Sequence, residues 1–416
     1  MARRVSAIIL GAGKSKRMRL TKPKIILDLG GRPLIFYTLD VLKRLGIKDI
    51  SLVVGYKKEE VKKVIREEFS DIRFVHQKIY NGTAKAVEVA LPFTKEEDVL
   101  VLYGDTPLIE AKALRSFINF YFKKNSPCAL ISGRLPFDND LGRILRNSTG
   151  EIIKIIERQQ LTHPVDEVNS GIYCFKKSYL GKGLKKIKMN RKKREFFLTD
   201  IVEIFSHQNL RVSPYFLEDW RQIVGVNTQS NLALAYKLLN EKLLERIMRK
   251  GVRIIDPYTT FLSYDTKIGR DSIIYPFTYI EKNVIIGNNC SIGPFVHLRQ
   301  NTYIKDGSSI GNFVEITRSQ VGPKIRAKHF SYIGDAIIKE GVNIGAGFVT
   351  ANYDGKHKYK TFIEDYAFIG SHSVVVAPCK IGKNALTGAG AVVTKNVENN
   401  MVVVGVPAKP LRKREK

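Results

Sequence analysis

The sequence has 416 residues, of which 44% are hydrophobic and 15 are proline, so the chain is globular and long enough for two or three domains. Its net charge of +29 invites a nucleic-acid interpretation. However, the Lys and Arg residues lie in helix-like segments without the interleaved aromatic residues that single-strand binding proteins use. We therefore expect no nucleic-acid partner and interpret the charge as a solvated surface that attracts anionic substrates.

The cysteines and the apolar segments indicate the compartment. The four cysteines show no CxxC spacing, so neither a disulfide framework nor a zinc site is predicted, and reduced, buried thiols are expected. No stretch approaches the roughly 20 apolar residues of a membrane span. The short N-terminal apolar run leads into Gly-Ala-Gly-Lys, unlike a signal-peptide cleavage site. These features predict a soluble, cytoplasmic protein.

The first half of the chain alternates strand-like and helix-like segments. Residues 6–10, 50–54 and 99–103 are apolar runs typical of buried strands, and residues 33–45 are amphipathic. This alternation predicts an α/β domain with a mostly parallel, Rossmann-like sheet and helices on both faces. Ligands of such sheets bind at the carboxyl ends of the strands, which places candidate chemistry at Gly11 and Asp105.

A glycine-rich turn follows the first strand. In the segment LGAGKSKRM, residues 10–18, the turn exposes backbone N–H groups to phosphate, while Arg17 and Lys24 supply charge for a triphosphate and its transition state. The spacing matches neither the GxGxxG dinucleotide fingerprint nor the GxxxxGK[ST] motif of P-loop enzymes, so both of those classes are disfavoured.

A single helix is predicted between the two halves. Asn231 can cap it, Leu234, Leu238 and Ile247 follow helical spacing, and Gly251 closes it. The domain boundaries predicted around this linker are residues 1–227 for the first domain, 228–251 for the helix, 252–408 for the second domain and 409–416 for a basic tail. We expect that tail to be a disordered, solvated end.

The second half carries an aliphatic residue at every sixth position. Neither a helix nor an extended strand keeps such residues on one side, but three short strands per turn of a parallel β-helix do. Glycines that follow the aliphatic residue, such as Gly269 and Gly287, are expected to fit tight corners. The nine consecutive positions are Ile268, Ile274, Ile280, Ile286, Ile292, Leu298, Ile304, Ile310 and Ile316.

The motifs of the first domain occur in the order of a known family. LGAGKSKRM with Pro23-Lys24 resembles the signature of the sugar-1-phosphate nucleotidyltransferases. Residues 102–109, LYGDTPLI, resemble the metal-binding segment of the bifunctional N-acetylglucosamine-1-phosphate uridyltransferase and glucosamine-1-phosphate acetyltransferase family. The further matches are Gln77 with Asn81-Gly82-Thr83, Gly142-Arg143, Glu157, and residues 167–171, 197–200 and 225–227. The family's second domain is a left-handed parallel β-helix of hexapeptide repeats.

The resemblance implies a role for each matching position. Arg17 and Lys24 are the expected catalytic cations, and Mg²⁺ would be bound by Asp105 and Asn227, whose oxygen atoms suit a hard ion that keeps positions open for phosphate. The nucleotide would be held by Leu10, Gly11, Ala12, Gly13, Gln77, Gly82, Thr83 and Tyr103. The sugar would be held by Gly142, Glu157 and Asn169.

A second set of motifs interrupts the β-helix. The segments KHFSYIGD (328–335), GVNIGAG (341–347) and ANYDG (351–355) resemble the acetyltransferase site of the same family. His329 would be the general base that deprotonates the sugar amine as the amine attacks acetyl-CoA, the acetyl donor. The acetyl acceptor would be positioned by Arg299, Thr317, Tyr332, Asn343, Asn352 and Tyr353. The acetyl-CoA site would be lined by Ala346, Ser371 and Ala389.

Four positions depart from the family pattern, one of them Ser15, where the family usually has Gly in the glycine-rich loop. Where the family usually has a phosphate-binding Lys, this chain has Thr317, and the nearest cation is Arg318, whose side chain is expected to point the other way along a strand. Val406 stands where a coenzyme-contacting Arg is common, with Lys409 as a possible substitute. Gly11 replaces the usual Ala in the glycine-rich loop.

The favoured interpretation is a bifunctional enzyme of UDP-N-acetylglucosamine synthesis in cell-envelope precursor formation. The alternative is a single-activity nucleotidyltransferase whose β-helix serves assembly or regulation. In the resembling families three β-helices pack in parallel and share the acetyl site between subunits, so a homotrimer is expected. The nucleotide base and the choice between glucosamine and galactosamine 1-phosphate stay open.

Overall fold

A computed structural model describes residues 4–14, 16–156 and 165–414. The contacts divide the chain into two compact units, Met1–Tyr236 and Lys237–Lys416. Within the described ranges, the four cysteines are free and buried, as predicted. No helix in these ranges is long and apolar enough to cross a membrane.

The first unit contains strands and helices in alternation. Its described strands are β1 (Ser6–Leu10), β2 (Asp28–Leu29), β3 (Arg32–Pro33), β4 (Ile50–Val54), β5 (Arg73–His76), β6 (Asp98–Tyr103), β7 (Cys128–Arg134), β8 (Arg143–Arg146), β9 (Ile152–Ile156), β10 (Glu167–Lys176) and β11 (Val212–Phe216). Its helices are α1 (Leu34–Arg44), α2 (Lys58–Arg66), α3 (Thr83–Ala90), α4 (Ala111–Lys124), α5 (Lys177–Leu184) and α6 (Asp200–His207), and a further helix, α7 (Gln229–Met248), begins in the first unit and ends in the second.

These strands form the predicted mostly parallel sheet. Its order is β11-β7-β10-β6-β1-β4-β5, with β8 and β9 attached to β10, while β2 and β3 form a separate hairpin. Strands β6, β1, β4 and β5 are mutually parallel, and β10 runs antiparallel to β6 and β7. The predicted α/β fold is confirmed.

The central strands are buried because helices cover both faces of the sheet. Ala7 and Ile9 of β1 pack in the core cluster that includes residues of α1, α2 and α4. Ile8 and Leu10 point to the opposite face and pack with residues of α3, α5 and α6. Side chains alternate between the faces of a strand, so a run that is apolar at every position is what a two-sided core requires.

Helix α7 begins two residues before the predicted start. Thr228 Oγ1 accepts a hydrogen bond from Asn231 N at 3.2 Å, and Asn231 Oδ1 accepts one from Thr228 N at 3.1 Å. This reciprocal pair is a capping box, in which Thr228 is the cap and Asn231 reaches back to it. The cap therefore lies three residues before Asn231, the residue predicted to cap the helix.

The second unit consists of short strands. They are β12 (Arg253–Ile254), β13 (Phe261–Leu262), β14 (Lys267–Ile268), β15 (Ile273–Ile274), β16 (Tyr279–Ile280), β17 (Val284–Ile286), β18 (Ser291–Ile292), β19 (His297–Leu298), β20 (Thr302–Ile304), β21 (Ser309–Thr317), β22 (Gln320–Val321), β23 (Arg326–Gly334), β24 (Ala336–Ile338), β25 (Asn343–Ile344), β26 (Val349–Ala351), β27 (Thr361–Ile363), β28 (Phe368–Ile369), β29 (Val374–Val376), β30 (Cys379–Ile381), β31 (Leu386–Thr387), β32 (Val392–Val393), β33 (Met401–Val404) and β34 (Lys409–Lys413).

These strands wind into the predicted parallel β-helix. Ladders such as β15-β18-β21, β16-β19-β21 and β14-β17-β20 pair each strand with its equivalent one coil later. For example, Ile274 pairs with Ile292, and Ile292 pairs with Ile310. All nine residues of the six-residue repeat are at most 7% exposed, because each points into the coil and stacks on the next.

Gly293 has a φ of +103°, as a tight corner requires, but Gly269 and Gly287 serve a different purpose from the one predicted. A Cβ atom built on Gly269 would lie 2.6 Å from Asn288 N, and one built on Gly287 would lie 2.7 Å from Asp306 N. These glycines are therefore needed because the neighbouring coil approaches closely. The left-handed corner residue stands three positions after the aliphatic residue, as at Asp271 and Phe277.

The six-residue spacing breaks at two corners that the sequence pattern missed. Ile316 and Val321 are five residues apart, as are Ile333 and Ile338, yet all four are buried. A longer coil follows, because Ile338 pairs with Ile363, 25 residues later. This coil contains the charged excursion that was noted in the sequence.

The basic tail is not a disordered end within its described residues. Strand β34 pairs antiparallel with β33, and Arg414 Nη1 donates a hydrogen bond to the Asn384 carbonyl at 3.2 Å. This pairing covers the hydrogen-bonding edge of the last coil, which would otherwise be open. The expectation of disorder for residues 409–414 was therefore wrong, and residues 415–416 lie outside the described residues.

Candidate active sites

The first unit has a cavity of about 600 Å³ at the carboxyl ends of β1 and β6. It brings together twelve residues that the sequence motifs singled out, which come from segments up to 217 residues apart. They are Leu10, Gly11, Ala12, Gly13, Arg17, Lys24, Gln77, Gly82, Thr83, Tyr103, Asp105 and Asn227. These positions therefore lie together at the edge where the parallel strands end, as expected for an α/β sheet.

Backbone hydrogen bonds hold the glycine-rich turn against the sheet. Gly11 N donates to the Val53 carbonyl at 3.0 Å, and Gly104 N donates to the Leu10 carbonyl at 2.9 Å. A methyl group built on Gly11 would lie 2.8 Å from Ile25 Cδ1. Ile25 thus fills the space that an Ala side chain at position 11 would need, which explains how this chain accommodates Gly there.

The amino end of α3 forms a second wall of the cavity. Gln77 is buried, and its Nε2 donates to the Gly82 carbonyl at 3.1 Å. Gly82 has a φ of +113°, and a Cβ atom on it would lie 2.3 Å from the Phe196 carbonyl oxygen, so only Gly fits. Thr83 Oγ1 accepts a hydrogen bond from Leu198 N at 2.9 Å. These bonds fix the first turn of α3 at the cavity.

Lys24, Asp105 and Asn227 meet on the cavity floor. Lys24 Nζ donates to the Asp105 carboxylate and, at 2.9 Å, to Asn227 Oδ1. Val226 N donates to the Asp105 carbonyl at 2.8 Å, which holds the two segments side by side. Both the Lys24 and the Asp105 side chains are only 14% exposed.

The oxygen atoms of Asp105 and Asn227 suit a divalent cation, because they already converge on one cationic nitrogen. A carboxylate and an amide oxygen are hard ligands of the kind that Mg²⁺ prefers. Among the described residues there is no cluster of three or more His, Cys, Asp or Glu side chains that could hold a metal ion. An ion bound by Asp105 and Asn227 would therefore take its other ligands from phosphate oxygens and water.

Two further cations face the cavity. Arg17 is exposed and lies 3.3 Å from an exposed carboxylate oxygen of Asp140, a pair that solvent largely screens. Lys14 Nζ lies 5.4 Å from the centre of the Tyr80 ring. Together with Lys24, these side chains give the cavity three cationic groups, which matches a polyphosphate ligand.

Two predicted sugar residues, Gly142 and Asn169, lie behind Tyr103 and are not among the described residues that line the cavity. Asn169 N donates to the Gly142 carbonyl at 2.9 Å, and Asn169 Nδ2 donates to Tyr173 Oη at 2.7 Å. The Tyr103 ring packs against Gly171, where a Cβ atom would lie 2.5 Å from Cδ2 of that ring. Glu157, the third predicted sugar ligand, lies outside the described residues.

Five residues that the sequence motifs did not single out as ligands also line the cavity. They are Lys14, Ile25, Tyr80, Ala86 and Glu195. Lys14 and Ile25 are neighbours of predicted residues, so motif position was an available signal for them. Glu195 precedes the matched 197–200 segment and is held by a bridge to Asn190, which no sequence signal indicated.

In the second unit, the proposed base and the proposed acetyl-CoA residues form one column. Ala327, Ile344, Ile369 and Thr387 pair on successive coils. His329, Ala346, Ser371 and Ala389 stand two residues after these four positions and therefore follow one another along the same corner. Successive coils are about 4.8 Å apart, so the column forms a continuous edge beside His329.

Three of the six predicted acceptor residues, Thr317, Tyr332 and Asn352, lie at the next corner. Arg318 Nε and Nη2 donate to the two carboxylate oxygens of Asp335 at 2.7 and 2.8 Å, and Arg318 Nη1 donates to Thr317 Oγ1 at 3.0 Å. Thr317 is fully buried. Arg318 has a φ of +46°, so the chain turns there. Its side chain consequently lies beside Thr317, contrary to the expectation that the two would point to opposite sides.

A glycine allows two predicted acceptor residues to meet. A Cβ atom built on Gly334 would lie 2.6 Å from Tyr332 Oη and 2.9 Å from Asn352 Nδ2. Asn352 Nδ2 also donates to the Asp335 carboxylate. Asp335 therefore connects Arg318 with Asn352, a role that the sequence analysis did not assign, although Asp335 is part of the matched KHFSYIGD segment.

The Asp335 carboxylate is held in its charged form. Burial opposes ionisation, but hydrogen bonds from Arg318 and Asn352 outweigh it and hold the pKa of Asp335 below its ordinary value. The hydrogen bond from Arg318 to this carboxylate likewise raises the pKa of the guanidinium. The pair therefore stays charged across the physiological range.

The other predicted acceptor residues are more dispersed. Arg299 Nη1 donates to Glu315 Oε1 at 3.0 Å on the face that precedes the Arg318 corner. Tyr353 is exposed in the excursion, where its Oη donates to the Gly355 carbonyl at 2.6 Å. Asn343 lies on the opposite side of the His329 corner, paired with Arg326 and Phe368.

Comparisons with known proteins follow the division into two units. The family of MobA-like NTP transferase domains matches residues 7–165. The bacterial transferase hexapeptide family (six repeats) matches residues 265–300, 286–318 and 360–395. The inositol-1-phosphate CTP transferase from T. maritima is structurally similar over 57% of this chain and 96% of that chain, with a TM-score of 0.48 and 18% identity.

Full-length relatives are more informative. The chain is 37% identical over 435 residues to the bifunctional protein GlmU of Thermosipho africanus, covering 96% of this chain and 94% of that protein. It is 35% identical over 436 residues to the bifunctional protein GlmU of Carboxydothermus hydrogenoformans, covering 96% and 97%. The chain belongs to the bifunctional GlmU family.

Membership of the GlmU family confirms the resemblance drawn from the motifs. The chain is a nucleotidyltransferase and an acetyltransferase, a bifunctional enzyme of cell-envelope precursor synthesis, with a Rossmann-like domain followed by a left-handed β-helix of hexapeptide repeats. Against the usual GlmU pattern, Val406 is 72% exposed, and Lys409, the expected substitute for the missing Arg, begins the exposed strand β34.

Proposed function

We propose that residues 1–227 transfer a uridylyl group from UTP to N-acetylglucosamine 1-phosphate, and that the β-helix of residues 252–408 transfers an acetyl group from acetyl-CoA to glucosamine 1-phosphate. The observation that carries the first assignment is the meeting of Lys24, Asp105 and Asn227 on the floor of a cavity walled by a glycine-rich turn. The corresponding observation for the second is the column that begins at His329.

Nucleotidyl transfer in this cavity needs no protein nucleophile. A phosphate oxygen of the sugar phosphate, already an anion, attacks the α-phosphorus of the nucleotide, an O–P bond forms, and the bond to the pyrophosphate leaving group breaks. Mg²⁺ bound by Asp105 and Asn227 would neutralise phosphate charge as it develops. The glycine-rich turn of residues 11–13 lines the cavity in which the phosphates would lie, and Arg17 is placed to balance the charge on departing pyrophosphate.

The side walls of the cavity would provide selectivity. We assign the base and ribose to the pocket formed by Gln77, Gly82, Thr83 and Tyr103, because these residues line the cavity on the side of α3. Gly142 and Asn169, together with Glu157, are assigned to the sugar. The Tyr103 ring would separate the nucleotide from the sugar.

Acetyl transfer requires deprotonation of an amine. The amine nitrogen of the acceptor attacks the thioester carbonyl of acetyl-CoA, a C–N bond forms, the C–S bond breaks, and coenzyme A leaves. His329 is exposed at the corner and is free of the buried ion-pair network around Asp335, so it can receive the ammonium proton as general base. Ala346, Ser371 and Ala389 present small side chains and a backbone edge along which an extended coenzyme can lie.

The positions of the two groups support a homotrimer with shared acetyl sites. Gly334 follows His329 by five residues, so at about 3.3 Å per residue the base and the Arg318 corner lie up to about 16 Å apart on one chain. A second copy would complete the site by bringing its own acceptor corner to His329. The exposed rings of Phe277, Phe295 and Phe313, stacked with centroids 4.7 and 5.1 Å apart, support self-association along this edge.

A cytoplasmic location agrees with these substrates. UTP and acetyl-CoA are intracellular metabolites, and all four cysteines are free and buried. Anionic small molecules account for the basic surface, so no nucleic-acid partner is proposed.

One assay tests both activities. Purified protein is incubated with acetyl-CoA and either glucosamine or galactosamine 1-phosphate, with and without UTP and Mg²⁺, and the products are resolved by mass. We expect N-acetylglucosamine 1-phosphate without UTP and UDP-N-acetylglucosamine when UTP and Mg²⁺ are present. Absence of acetylation with every acceptor would overturn the acetyl assignment, and absence of the nucleotide sugar from N-acetylglucosamine 1-phosphate would overturn the other.

A further inference from the structure

The Lys24 ammonium lies where the proposed metal ion would bind. It donates to the Asp105 carboxylate and to Asn227 Oδ1 at 2.9 Å, the same two oxygen ligands that would hold Mg²⁺. A divalent ion and an ammonium group repel each other and cannot share these oxygens at contact distance. Binding of the ion therefore requires the ammonium to leave.

The backbone around Lys24 is fixed, so only its side chain can move. Pro23 precedes it with a φ of −58°, and Lys24 begins a short helical turn, Lys24–Ile26, whose other two residues are buried. Leu27 N donates to the Lys24 carbonyl at 3.0 Å. A lysine side chain has several rotatable bonds and can swing its ammonium by several ångströms without backbone change.

The cavity offers the displaced ammonium a second partner when nucleotide is bound. Leu10, Gly11, Ala12 and Gly13 line the same cavity as Lys24, so phosphates that dock on the glycine-rich turn lie within the cavity that the ammonium already borders. The other two cations of the cavity, Lys14 and Arg17, contact the Tyr80 ring and the exposed Asp140 carboxylate instead of the proposed metal ligands. Lys24 is thus the cation whose contacts change directly with the arrival of the ion.

We propose that Lys24 acts as a stand-in cation in the nucleotide-free enzyme and transfers to the nucleotide phosphates when the divalent ion takes its place. The free protein then binds the ion weakly, and ion and nucleotide bind together with positive coupling. The inference rests on the metal site proposed above for Asp105 and Asn227. It adds a role for Lys24 before chemistry, as a residue that prevents the ion from binding alone.

The test measures Mn²⁺ binding to the whole protein, and free Mn²⁺ is monitored by its electron paramagnetic resonance signal. Lys24→Met removes the ammonium, and Lys24→Gln retains an amide that can donate to Asp105, in case the first variant is unstable. Lys14→Met removes a cavity cation that does not contact Asp105 and is the matched control. Asp105→Asn, alone and combined with Lys24→Met, reports whether Mn²⁺ uses the proposed site.

Without nucleotide, we expect Lys24→Met and Lys24→Gln to bind Mn²⁺ roughly tenfold or more tightly than the unmodified protein, because a partly buried competing charge is gone. Lys14→Met should change the affinity less. UTP should strengthen Mn²⁺ binding to the unmodified protein more than to Lys24→Met. The tighter binding should vanish in the combined Asp105→Asn variant.

Equal or weaker Mn²⁺ binding by both Lys24 variants, or equal strengthening by UTP in all proteins, would overturn the inference. Undetectable binding to Lys24→Met and Lys24→Gln would overturn it as well. The proposed enzymatic activity is judged separately by product mass, so a protein that transfers uridylyl groups but fails the Mn²⁺ test retains its proposed function and loses only this role of Lys24.

Discussion

The two units build their sites in contrasting ways. In the first, a parallel sheet brings residues from Leu10 to Asn227 to one edge, and a single cavity collects them. In the second, each coil contacts only its neighbours, so site residues come from adjacent coils and are arranged in columns along the corners. A sheet can therefore complete a site within one chain, whereas in the assembly proposed above the β-helix presents half-sites that a second copy would complete.

The largest effect is expected when the proposed metal ligand of the first unit is removed, which tests whether the two sites are independent. Asp105→Ala should abolish detectable nucleotidyl transfer, because Asn227 alone cannot hold the ion and Lys24 loses its partner. Acetyl transfer should stay unchanged, since the β-helix has its own site. Both rates are measured on the same preparation, and a parallel fall in both would contradict the independence of the two units.

The reciprocal change addresses the column in the β-helix. His329→Ala should lower acetyl turnover by about 10²–10⁴-fold, the usual loss for a general base, while nucleotidyl transfer persists. His207→Ala, at the end of α6 in the other unit, is the control for loss of an imidazole. Acetyl turnover that survives in His329→Ala would show that another group accepts the proton.

Arg17 tests the charge balance in the first cavity. Arg17→Ala should lower nucleotidyl turnover by about 10²-fold because a cation facing the leaving pyrophosphate is lost. The Michaelis constant for the sugar phosphate should change little. Lys22→Ala removes a nearby exposed charge outside the cavity lining and serves as control. Unchanged turnover with a raised sugar Michaelis constant would place Arg17 at the sugar instead.

Variants at the Arg318 corner test the proposed acceptor site of the β-helix. Arg318→Ala should raise the acceptor Michaelis constant roughly tenfold or more if the guanidinium contacts the acceptor phosphate. Thr317→Lys should lower it by supplying a second cation, provided that the new side chain leaves the buried position of Thr317. An unchanged Michaelis constant in Arg318→Ala, with the variant folded, would assign Arg318 a purely structural role.

Substitution of Asp335 should have the smallest effect, a loss of stability that depends on pH. Because its native pKa lies below the ordinary value, its ion pair stabilises the fold at neutral pH, and this stabilisation is lost as pH falls through the lowered pKa. Asp335→Asn should reduce the free energy of unfolding of the β-helix by about 1–3 kcal/mol near pH 7. Calorimetry should find the difference shrinking in acid. A difference independent of pH would contradict this account.

Much of the fold was predictable because its periodicities are strong. Strands β1 and β4 match the predicted bounds, and the six-residue repeat identifies the β-helix before any coordinates. The five-residue corners at Val321 and Ile338 could not be predicted, since nothing local marks them. The strand β34 was also missed, because its pairing with β33 depends on an open edge that only the folded coil presents.

The sites were predictable to different extents. In the first unit, motif positions and strand ends together indicated twelve of the seventeen cavity residues, and Glu195 was missed because only the folding of its loop brings it there. In the second unit, the column of His329 and Ala346 follows from coil register. The paired hydrogen bonds from Arg318 to Asp335 depend on a left-handed turn at Arg318. They could not be predicted from the rule that neighbouring residues of a strand point to opposite sides.

The most direct test of two independent sites is a complementation assay. Asp105→Ala, His329→Ala and an equal mixture of the two proteins are each given glucosamine 1-phosphate, acetyl-CoA, UTP and Mg²⁺. Asp105→Ala alone should accumulate N-acetylglucosamine 1-phosphate, and His329→Ala alone should leave the substrate unchanged. The mixture should form UDP-N-acetylglucosamine after a lag, because the intermediate diffuses between sites. A mixture that forms no nucleotide sugar, although each variant retains its remaining activity, would contradict the account.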